Sequence, residues 1–414
     1  MKTRSALVLA TMVAAPLAQS APGDDWPGRL GPTADGRSGA TGVFAGRPAI
    51  TLKKEWGQRF DAGRAGVSIA NGRAVTLVGQ EDRDFAIAWD AATGRELWKV
   101  ELGPTHPDQF GGPVSTPALD GTRVFVLGSS CVVRALEAAT GRELWALDLK
   151  ARFQAQPRQG CQSSPIVHQG RVVVQTAAVA PEQPRVVAID PATGEPSWQT
   201  KFAERAPYSS PLAATLAGVP QLLVHHAIAG PPPLGGLTAL DPGTGAVLWS
   251  QTPAATKAFS FESPLVLGND RVAVLTWNDF AAQQVKKDGA SWRMDELWRS
   301  ADLTASIAPP VLHEGHLYGF GGDDLACVEA ATGKVAWKKR LYGGSVILVD
   351  GHLVVLSQAS GEVRVVEATP AAYREKAMLP VLARGARSDA PPSFADGRIF
   401  VRSDEEVVAL SIAR

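Results

Sequence analysis

The segment DAATGRELW at residues 90–98 returns almost unchanged as EAATGRELW at residues 137–145. The same phrase recurs in VVAIDPATGEPSW, LTALDPGTGAVLW and LACVEAATGKVAW, and in weaker form in DGASWRMDELW and GEVRVVEATPAAY. The aromatic residue that ends the phrase marks one slot in each repeat: Trp56, Trp98, Trp145, Trp198, Trp249, Trp298, Trp337 and Tyr373. Successive slots imply a period of about 45 residues, which is the range of propeller blades.

A second phrase runs in step with the first. Each copy is a Ser/Thr-Pro pair that opens a β-rich run: Thr116-Pro117, Ser164-Pro165, Ser210-Pro211 and Ser263-Pro264. Proline is tolerated at the first residue of a strand, and the turns that follow, such as Asp-Gly in DGTRVFVL at 120–127 and Asn-Asp in NDRVAVLT at 269–276, are typical of hairpins. Each repeat is therefore predicted to be strand, turn, strand, loop, strand, turn, strand.

The number of repeats predicts the architecture. A four-stranded antiparallel sheet buries both faces when such sheets stack around an axis, so we expect an all-β, eight-bladed β-propeller over residues 50–414. The C-terminal repeat supplies only three strands, and the orphan segment ITLKKEW at residues 50–56 is predicted to complete it and close the ring. Seven blades is the alternative, because the fifth and seventh repeats are degenerate.

The N-terminus and the charge balance predict an exported protein. Residues 1–20 combine a basic start, an apolar stretch at 6–18 and a small-residue cleavage site, which is typical of a signal peptide. The stretch is too short for a stable membrane span, and no lipobox Cys follows it. Lys+Arg and Asp+Glu are both 41, so neither nucleic acid nor an anionic membrane is an expected partner. We expect a periplasmic or secreted protein with a lead-in segment at 21–49, in which Trp26 covers part of the ring.

The three cysteines leave two readings open. The residues favour Cys131, Cys161 and Cys327 as buried small hydrophobic side chains. In an oxidising compartment Cys131 and Cys161 could instead pair and leave Cys327 free.

The pattern A-x-D-x-x-T-G-x-x-x-W resembles the tryptophan-docking repeat of pyrroloquinoline-quinone (PQQ)-like β-propellers. The resemblance covers nearly the whole chain after the lead-in, and it implies a structural, inter-blade role for Trp98, Trp145, Trp198, Trp249, Trp298 and Trp337. One branch of the family comprises quinoprotein dehydrogenases, which hold PQQ and calcium on the axis. Another comprises binding scaffolds, such as BamB-like assembly factors.

The residues favour the scaffold branch. The alcohol-dehydrogenase branch has a disulfide between adjacent cysteines, and no two cysteines are adjacent here. Asp108, Glu262 and Asp389 lie outside any calcium-loop pattern and are expected to be solvated or turn-capping. The sequence predicts no catalytic residue, no metal ligand and no cofactor, with PQQ and calcium as the alternative.

The histidines are expected to be structural. His225 and His226 are neighbours on a predicted strand, so one is expected to be buried and the other exposed. His313 and His316 in HEGH flank a predicted hairpin turn rather than a metal.

Segments that connect one blade to the next converge at the mouth of the axial channel. Their aromatic, Arg and carboxylate side chains suit a peptide or a small polar ligand. The candidate binding residues are Asp108, Arg158, Gln162, Arg205, Tyr208, Phe261, Glu262, Tyr342, Arg387 and Asp389. We expect a non-catalytic scaffold that binds a protein, a peptide or an envelope component there. A PQQ-dependent dehydrogenase and a carbohydrate- or polymer-binding module are the alternatives.

Overall fold

Each repeat folds as a four-stranded antiparallel sheet, and the sheets surround a common axis. The structure is a computed structural model that describes residues 25–44, 46–47, 49–107, 112–157, 159–180, 182–202, 209–228, 234–251, 262–275, 279–304 and 308–413. These residues form eight sheets, which confirms the eight-bladed propeller and excludes seven blades.

The first half of the ring contains blades 1 to 4, preceded by strand β1 (Thr51–Arg59). Blade 1 contains β2 (Ser68–Ala70), β3 (Arg73–Gln80), β4 (Arg83–Asp90) and β5 (Glu96–Pro104). Blade 2 contains β6 (Ala118–Asp120), β7 (Arg123–Leu127), β8 (Val132–Glu137) and β9 (Glu143–Asp148), and a short helix, α1 (Leu149–Phe153), follows it. Blade 3 contains β10 (Ile166–His168), β11 (Arg171–Gln175), β12 (Val186–Ile189) and β13 (Pro196–Thr200). Blade 4 contains β14 (Leu212–Leu216), β15 (Val219–Ile228), β16 (Leu234–Leu240) and β17 (Val247–Gln251).

The second half contains blades 5 to 8. Blade 5 contains β18 (Leu265–Gly268), β19 (Arg271–Leu275), β20 (Phe280–Asp288) and β21 (Ser291–Ser300). Blade 6 contains β22 (Val311–His313), β23 (His316–Gly321), β24 (Asp324–Glu329) and β25 (Val335–Arg340). Blade 7 contains β26 (Gly344–Val349), β27 (His352–Ser357), β28 (Glu362–Glu367) and β29 (Glu375–Pro380). Blade 8 contains β30 (Ser393–Ala395), β31 (Arg398–Arg402) and β32 (Glu406–Ala413), with β1 as its outer strand.

In six blades, the tryptophan at the outer strand donates a hydrogen bond to the turn of the following blade. The indole N–H of Trp98 donates to Ala138 O at 2.9 Å, and that of Trp145 donates to Pro191 O at 3.0 Å. The same bond is made to the next blade from Trp56 to Ala91 O, Trp198 to Pro242 O, Trp298 to Ala330 O and Trp337 to Thr369 O. The repeated indole therefore links neighbouring blades and fills the wedge between their sheets.

The D-x-x-T-G turn is shaped to receive that indole. In blade 3 the Asp190 carboxylate accepts the backbone N–H groups of Ala192 (2.8 Å) and Thr193 (2.9 Å). Gly194 follows with φ of 78°, a left-handed conformation that glycine adopts without steric cost. A Cβ at Gly194 would lie 2.7 Å from the ring of Trp145, so glycine also provides the room for the indole.

The junction of blades 4 and 5 departs from this rule. Residues 280–300 form a longer hairpin in place of the D-x-x-T-G turn, and Trp249 meets Trp292 with ring centroids 6.2 Å apart. The indole of Trp249 donates to Gln221 Oε1 within its own blade, at 2.8 Å. At this junction, a contact between two tryptophan rings therefore replaces the packing of an indole against the turn glycine.

The Ser/Thr-Pro pairs connect the blades near the axis. Gly66 N donates to Thr116 Oγ1 (2.9 Å), Thr116 N donates to Ser164 Oγ (3.0 Å), and Ser164 N donates to Ser210 Oγ (2.8 Å). Each bond passes from one blade to the next. The hydroxyl groups thus satisfy buried backbone donors just before the innermost strands begin.

The ring closes between blades 8 and 1. Strand β1 pairs antiparallel with β32 from Thr51↔Ala413 to Arg59↔Glu406, which confirms the predicted closing strand. Ser393 Oγ donates to Val67 O at 2.6 Å across the same junction. Strands from opposite ends of the propeller sequence therefore pair with each other and close the ring.

The two ends of the ring differ in structure. Antiparallel strands alternate in direction, so the turns between first and second strands and between third and fourth strands lie at one end of the ring, which we call the turn face. The loops between second and third strands and the connections between blades lie at the other end, which we call the loop face. Residues 25–44 run across the turn face, where Trp26 is buried and forms an antiparallel bridge with Ile69.

Two of the three cysteines are joined by a disulfide. Cys131 and Cys161 form a disulfide, so the interpretation of three unpaired cysteines was wrong, and Cys327 is free and buried. The bond joins a loop of blade 2 to the segment before β10, and α1 lies between the two cysteines in sequence. Within the described residues, no helix is long and apolar enough to cross a membrane.

Candidate functional site

The candidate residues belong to connections on the loop face. Gln162, Glu262, Tyr342, Arg387 and Asp389 are described by the structure. The remaining candidates lie outside the described residues: Asp108, Arg158, Arg205, Tyr208 and Phe261.

Two of the described candidates meet a third residue at the junction of blades 8 and 1. Asp389 Oδ2 accepts Arg387 Nε at 2.8 Å and Arg64 Nη1 at 2.8 Å. Arg64 is almost completely buried, whereas the Arg387 side chain is 44% exposed. One carboxylate thus lies between two guanidinium groups, and the exposed one faces solvent on the loop face.

Arg402 of blade 8 also contributes hydrogen bonds to the junction of blades 8 and 1, from a buried position. Its guanidinium is buried and donates to Gly63 O (2.5 Å), Ala65 O (2.5 Å) and Leu77 O (3.1 Å) of blade 1. Burial lowers the pKa of Arg402 to about 9, with the Asp404 carboxylate acting in the opposite direction. The group remains charged at neutral pH, so it adds positive charge beneath Arg64 and Arg387.

Glu262 is buried, which corrects its interpretation as a solvated or turn-capping carboxylate. Its Oε2 accepts Arg29 Nη2 at 2.7 Å, and the two residues are 233 positions apart in the chain. Burial raises the pKa of Glu262, and the Arg29 guanidinium acts against that shift. Because Arg29 belongs to the segment across the turn face and Glu262 precedes β18, this ion pair joins the lead-in segment to blade 5.

The histidine pair is also buried, so the expectation of one exposed ring was wrong. His225 Nδ1 lies 3.1 Å from Glu262 O, and burial lowers the pKa of its ring. The ring of His226 packs 5.9 Å from that of Phe202, and burial lowers its pKa to about 3. Both rings are therefore neutral at physiological pH. His313 and His316 flank the hairpin turn at Glu314 and Gly315, as predicted.

Tyr342 and Gln162 occupy other parts of the loop face. Tyr342 is 62% exposed, and the Arg340 guanidinium lies 5.3 Å from its ring centroid. Arg340 is in turn paired with Asp323 at 2.7 Å. Gln162 lies beside the disulfide and donates to Gln159 O at 2.9 Å. The structure does not bring either residue into contact with the Arg64–Asp389–Arg387 cluster.

The side chains of the loop face are of types that take part in molecular recognition. Arginine, carboxylate and an exposed aromatic ring can bind polar and charged partner groups. Across the described residues, no three His, Cys, Asp or Glu side chains are grouped to hold a metal ion.

Sequence reasoning missed Arg64, Arg29 and Arg402. Arg64 precedes the first strand of blade 1, so the rule that selected Arg387 and Asp389 in blade 8 would also have selected it. Arg402 breaks the apolar run RIFVR, which differs from RVFVL in blade 2 at that position. Arg29 belongs to the lead-in segment, for which the repeat provides no reference.

Comparison with known proteins supplies a family. The family described as outer membrane protein assembly factor BamB matches residues 81–296 and 281–414. The BamB of Burkholderia pseudomallei (strain K96243) is 28% identical over 353 residues, covering 80% of this chain and 81% of that protein. The BamB of Yersinia pestis is 26% identical over 281 residues, covering 63% of this chain and 65% of that protein.

Solved structures share the fold. BamB from Moraxella catarrhalis superposes with a TM-score of 0.57 at 16% identity, covering 87% of this chain and 98% of that one. The quinohemoprotein alcohol dehydrogenase of Comamonas testosteroni gives a TM-score of 0.66 at 14% identity, covering 95% and 82%. At these identities the likeness establishes the propeller architecture alone.

Proposed function

The chain belongs to the BamB family of PQQ-like β-propellers, and from that membership we propose that it is a non-catalytic scaffold in outer membrane protein assembly. In this proposal a protein partner binds at the loop face. The signal peptide at 1–20 directs the chain to the periplasm, and residues 50–414 act as the binding propeller.

The observation that carries the proposal is the difference between the two ends of the ring. Residues 25–44 lie across the turn face and bury Trp26 and Phe44 there. The loop face instead presents Tyr342, which is 62% exposed, and Arg387, whose side chain is 44% exposed. An exposed tyrosine and an arginine are the residue types that contribute most energy at protein interfaces.

The buried charges support a preorganised surface. Arg64 holds Asp389, and Asp389 holds the Nε of Arg387, so the exposed guanidinium is fixed before any partner arrives. Fixing a long side chain in advance reduces the entropy lost on binding. The Arg64–Asp389–Arg387 cluster is therefore proposed as one anchor and Tyr342 as another.

The disulfide supports the proposed compartment. Cys131 and Cys161 are paired, and disulfides persist in oxidising compartments such as the bacterial periplasm. The bond lies on the loop face beside Gln162, where it ties a loop of blade 2 to the connection that leads into blade 3.

The test is a deletion in the host with complementation by matched variants. Loss of the gene is expected to reduce the amount of folded, heat-modifiable outer membrane proteins, and the wild-type gene is expected to restore it. A Tyr342→Ala/Arg387→Glu variant should fail to restore it. An Arg95→Glu variant should restore it. This substitution makes the same change of charge as Arg387→Glu, but in an exposed turn on the opposite face of the ring.

Two results would contradict the proposal. One is a deletion strain with normal outer membrane proteins. The other is oxidation of alcohols or sugars by the purified chain after addition of PQQ and calcium, measured by the reduction of a dye. Thermal melts of each variant separate loss of binding from loss of folding.

A further inference from the structure

The innermost strand of each blade has one edge that faces the axis, and the lead-in segment pairs with that edge in blade 1. Trp26 N donates to Ile69 O and Ile69 N donates to Trp26 O, both at 2.8 Å. In blade 2, Leu119 N donates to Pro27 O at 2.7 Å. The axial edge of an inner strand can therefore hold an extended segment through main-chain hydrogen bonds.

The same pairing recurs on the other side of the ring. In blade 7, Leu348 N donates to Gly36 O and Ser38 N donates to Leu348 O, both at 2.8 Å. Ile69, Leu119 and Leu348 hold the same position, two residues before the first hairpin turn of their blades. The backbone groups of that position point toward the axis, since strand residues alternate in the direction of their hydrogen bonds.

The corresponding residues of blades 4 to 6 border an open cavity. Thr215 and Leu312 lie two residues before their turns. Val266 is equivalent to them in register, because it forms the pair before the last one at the turn, with Val272, and a bulge between Val266 and Gly268 adds one residue to β18. All three residues line a cavity of about 340 Å³. Within the described residues, the inner strands of blades 4 and 5 form no bridge with the lead-in segment.

The walls of this cavity indicate what it accepts. One side is formed by small and aliphatic residues of β14 and β18, and the other by residues 33–37 of the lead-in segment. Asp35 and Arg37 form an ion pair (3.1 Å) at that rim, so their charges are already balanced. The site thus combines apolar flanks with unpaired strand edges, which are templates for another strand.

We propose that this cavity is a peptide-binding site separate from the loop face. It takes a short extended segment of a partner protein, with small or aliphatic side chains, which pairs with the axial edges of β14 and β18. The lead-in segment already occupies the continuation of this surface in the same manner on blades 1, 2 and 7. Strand addition of this kind derives affinity from main-chain bonds and tolerates many sequences.

The probe is a fluorescein-labelled octapeptide of alternating valine and threonine, titrated with the full chain and followed by fluorescence anisotropy. Thr215→Trp and Thr33→Trp fill the cavity from opposite walls, and both residues are exposed, so folding should survive. Each is expected to weaken binding at least about tenfold. The matched control is Thr122→Trp, an exposed threonine on the turn face of blade 2, which should bind like wild type.

Two further measurements locate the bound peptide. A copy of the octapeptide that is N-methylated at alternate residues should lose binding, because it cannot complete the main-chain bonds. Amide hydrogen exchange should slow within β14 and β18 when the unmodified peptide binds. Arg387→Glu should leave peptide binding unchanged, so failure here is distinguishable from failure of the loop-face proposal.

Specific outcomes would overturn the inference. They are no anisotropy change with wild-type chain, equal binding by Thr215→Trp and Thr122→Trp, or protection from exchange at the outer strands instead of β14 and β18.

Discussion

The turn glycine of the repeat gives the sharpest test of how the blades are joined. Gly194 and Gly170 lie in hairpin turns of the same blade, with φ of 78° and 68°. Alanine at either position is strained by a left-handed backbone, at a cost of about 1–2 kcal/mol. A Cβ at Gly170 would meet nothing within 4 Å, whereas one at Gly194 would lie 2.7 Å from the Trp145 ring. Overpacking of that kind adds about 1–3 kcal/mol.

Gly194→Ala is therefore expected to lower the free energy of unfolding by about 2–5 kcal/mol, and Gly170→Ala by about 1–2 kcal/mol. Urea denaturation followed by far-ultraviolet circular dichroism measures both values without depending on tryptophan emission. The excess loss should shrink when Gly194→Ala is combined with Trp145→Leu, since the smaller side chain makes room for the new methyl group. Two results would refute the inference that the Trp145 indole packs against Gly194. One is an equal loss of unfolding free energy for Gly194→Ala and Gly170→Ala. The other is an excess loss for Gly194→Ala that persists in the Trp145→Leu background.

Three other predictions concern the core. Trp145→Ala should cost about 3–5 kcal/mol by leaving a cavity between blades 2 and 3, and a loss under about 1 kcal/mol in urea denaturation would contradict it. Removing the disulfide with Cys131→Ala/Cys161→Ala should cost about 3–4 kcal/mol, given its sequence separation of 30 residues, and an unchanged melting temperature would argue against it. His226 has a pKa of about 3, against 6.5 ordinarily, so the stability from its neutral ring is present above pH 6.5 and lost as pH falls toward 3. Wild type should thus lose about 2 kcal/mol more than His226→Leu between pH 7 and pH 5, and parallel pH profiles would contradict this.

The repeat made the fold predictable because it encodes contacts between adjacent blades. Asp190 shapes a turn within three residues, and Gly194 at its end receives an indole from the preceding blade. Both effects depend on residue types at fixed spacings, so they can be recognised in sequence and counted. The closing strand followed from the same count, because the last repeat lacked its outer strand.

The pattern was less informative where a blade uses a different solution. Trp292 replaces the turn glycine opposite Trp249, and nothing in the spacing of DGASWRMDELW distinguishes that contact from an ordinary hairpin residue. The sequence also did not predict that His225 and His226 are both buried, for a related reason. Alternation puts the two rings on opposite faces of β15, but in a propeller both faces of a sheet are covered by neighbouring blades.

The candidate site depends on contacts that no repeat encodes. Arg29 and Glu262 are 233 residues apart, and Arg64 and Asp389 are separated by 325. Local propensity cannot specify such pairs; they exist because the lead-in segment crosses the turn face and because blade 8 closes on blade 1. The residues that tie the lead-in segment and the ring ends together are thus the ones that vary from blade to blade. A functional surface on this scaffold is accordingly to be sought at the closure and along the lead-in segment, where the eightfold equivalence of the blades is broken.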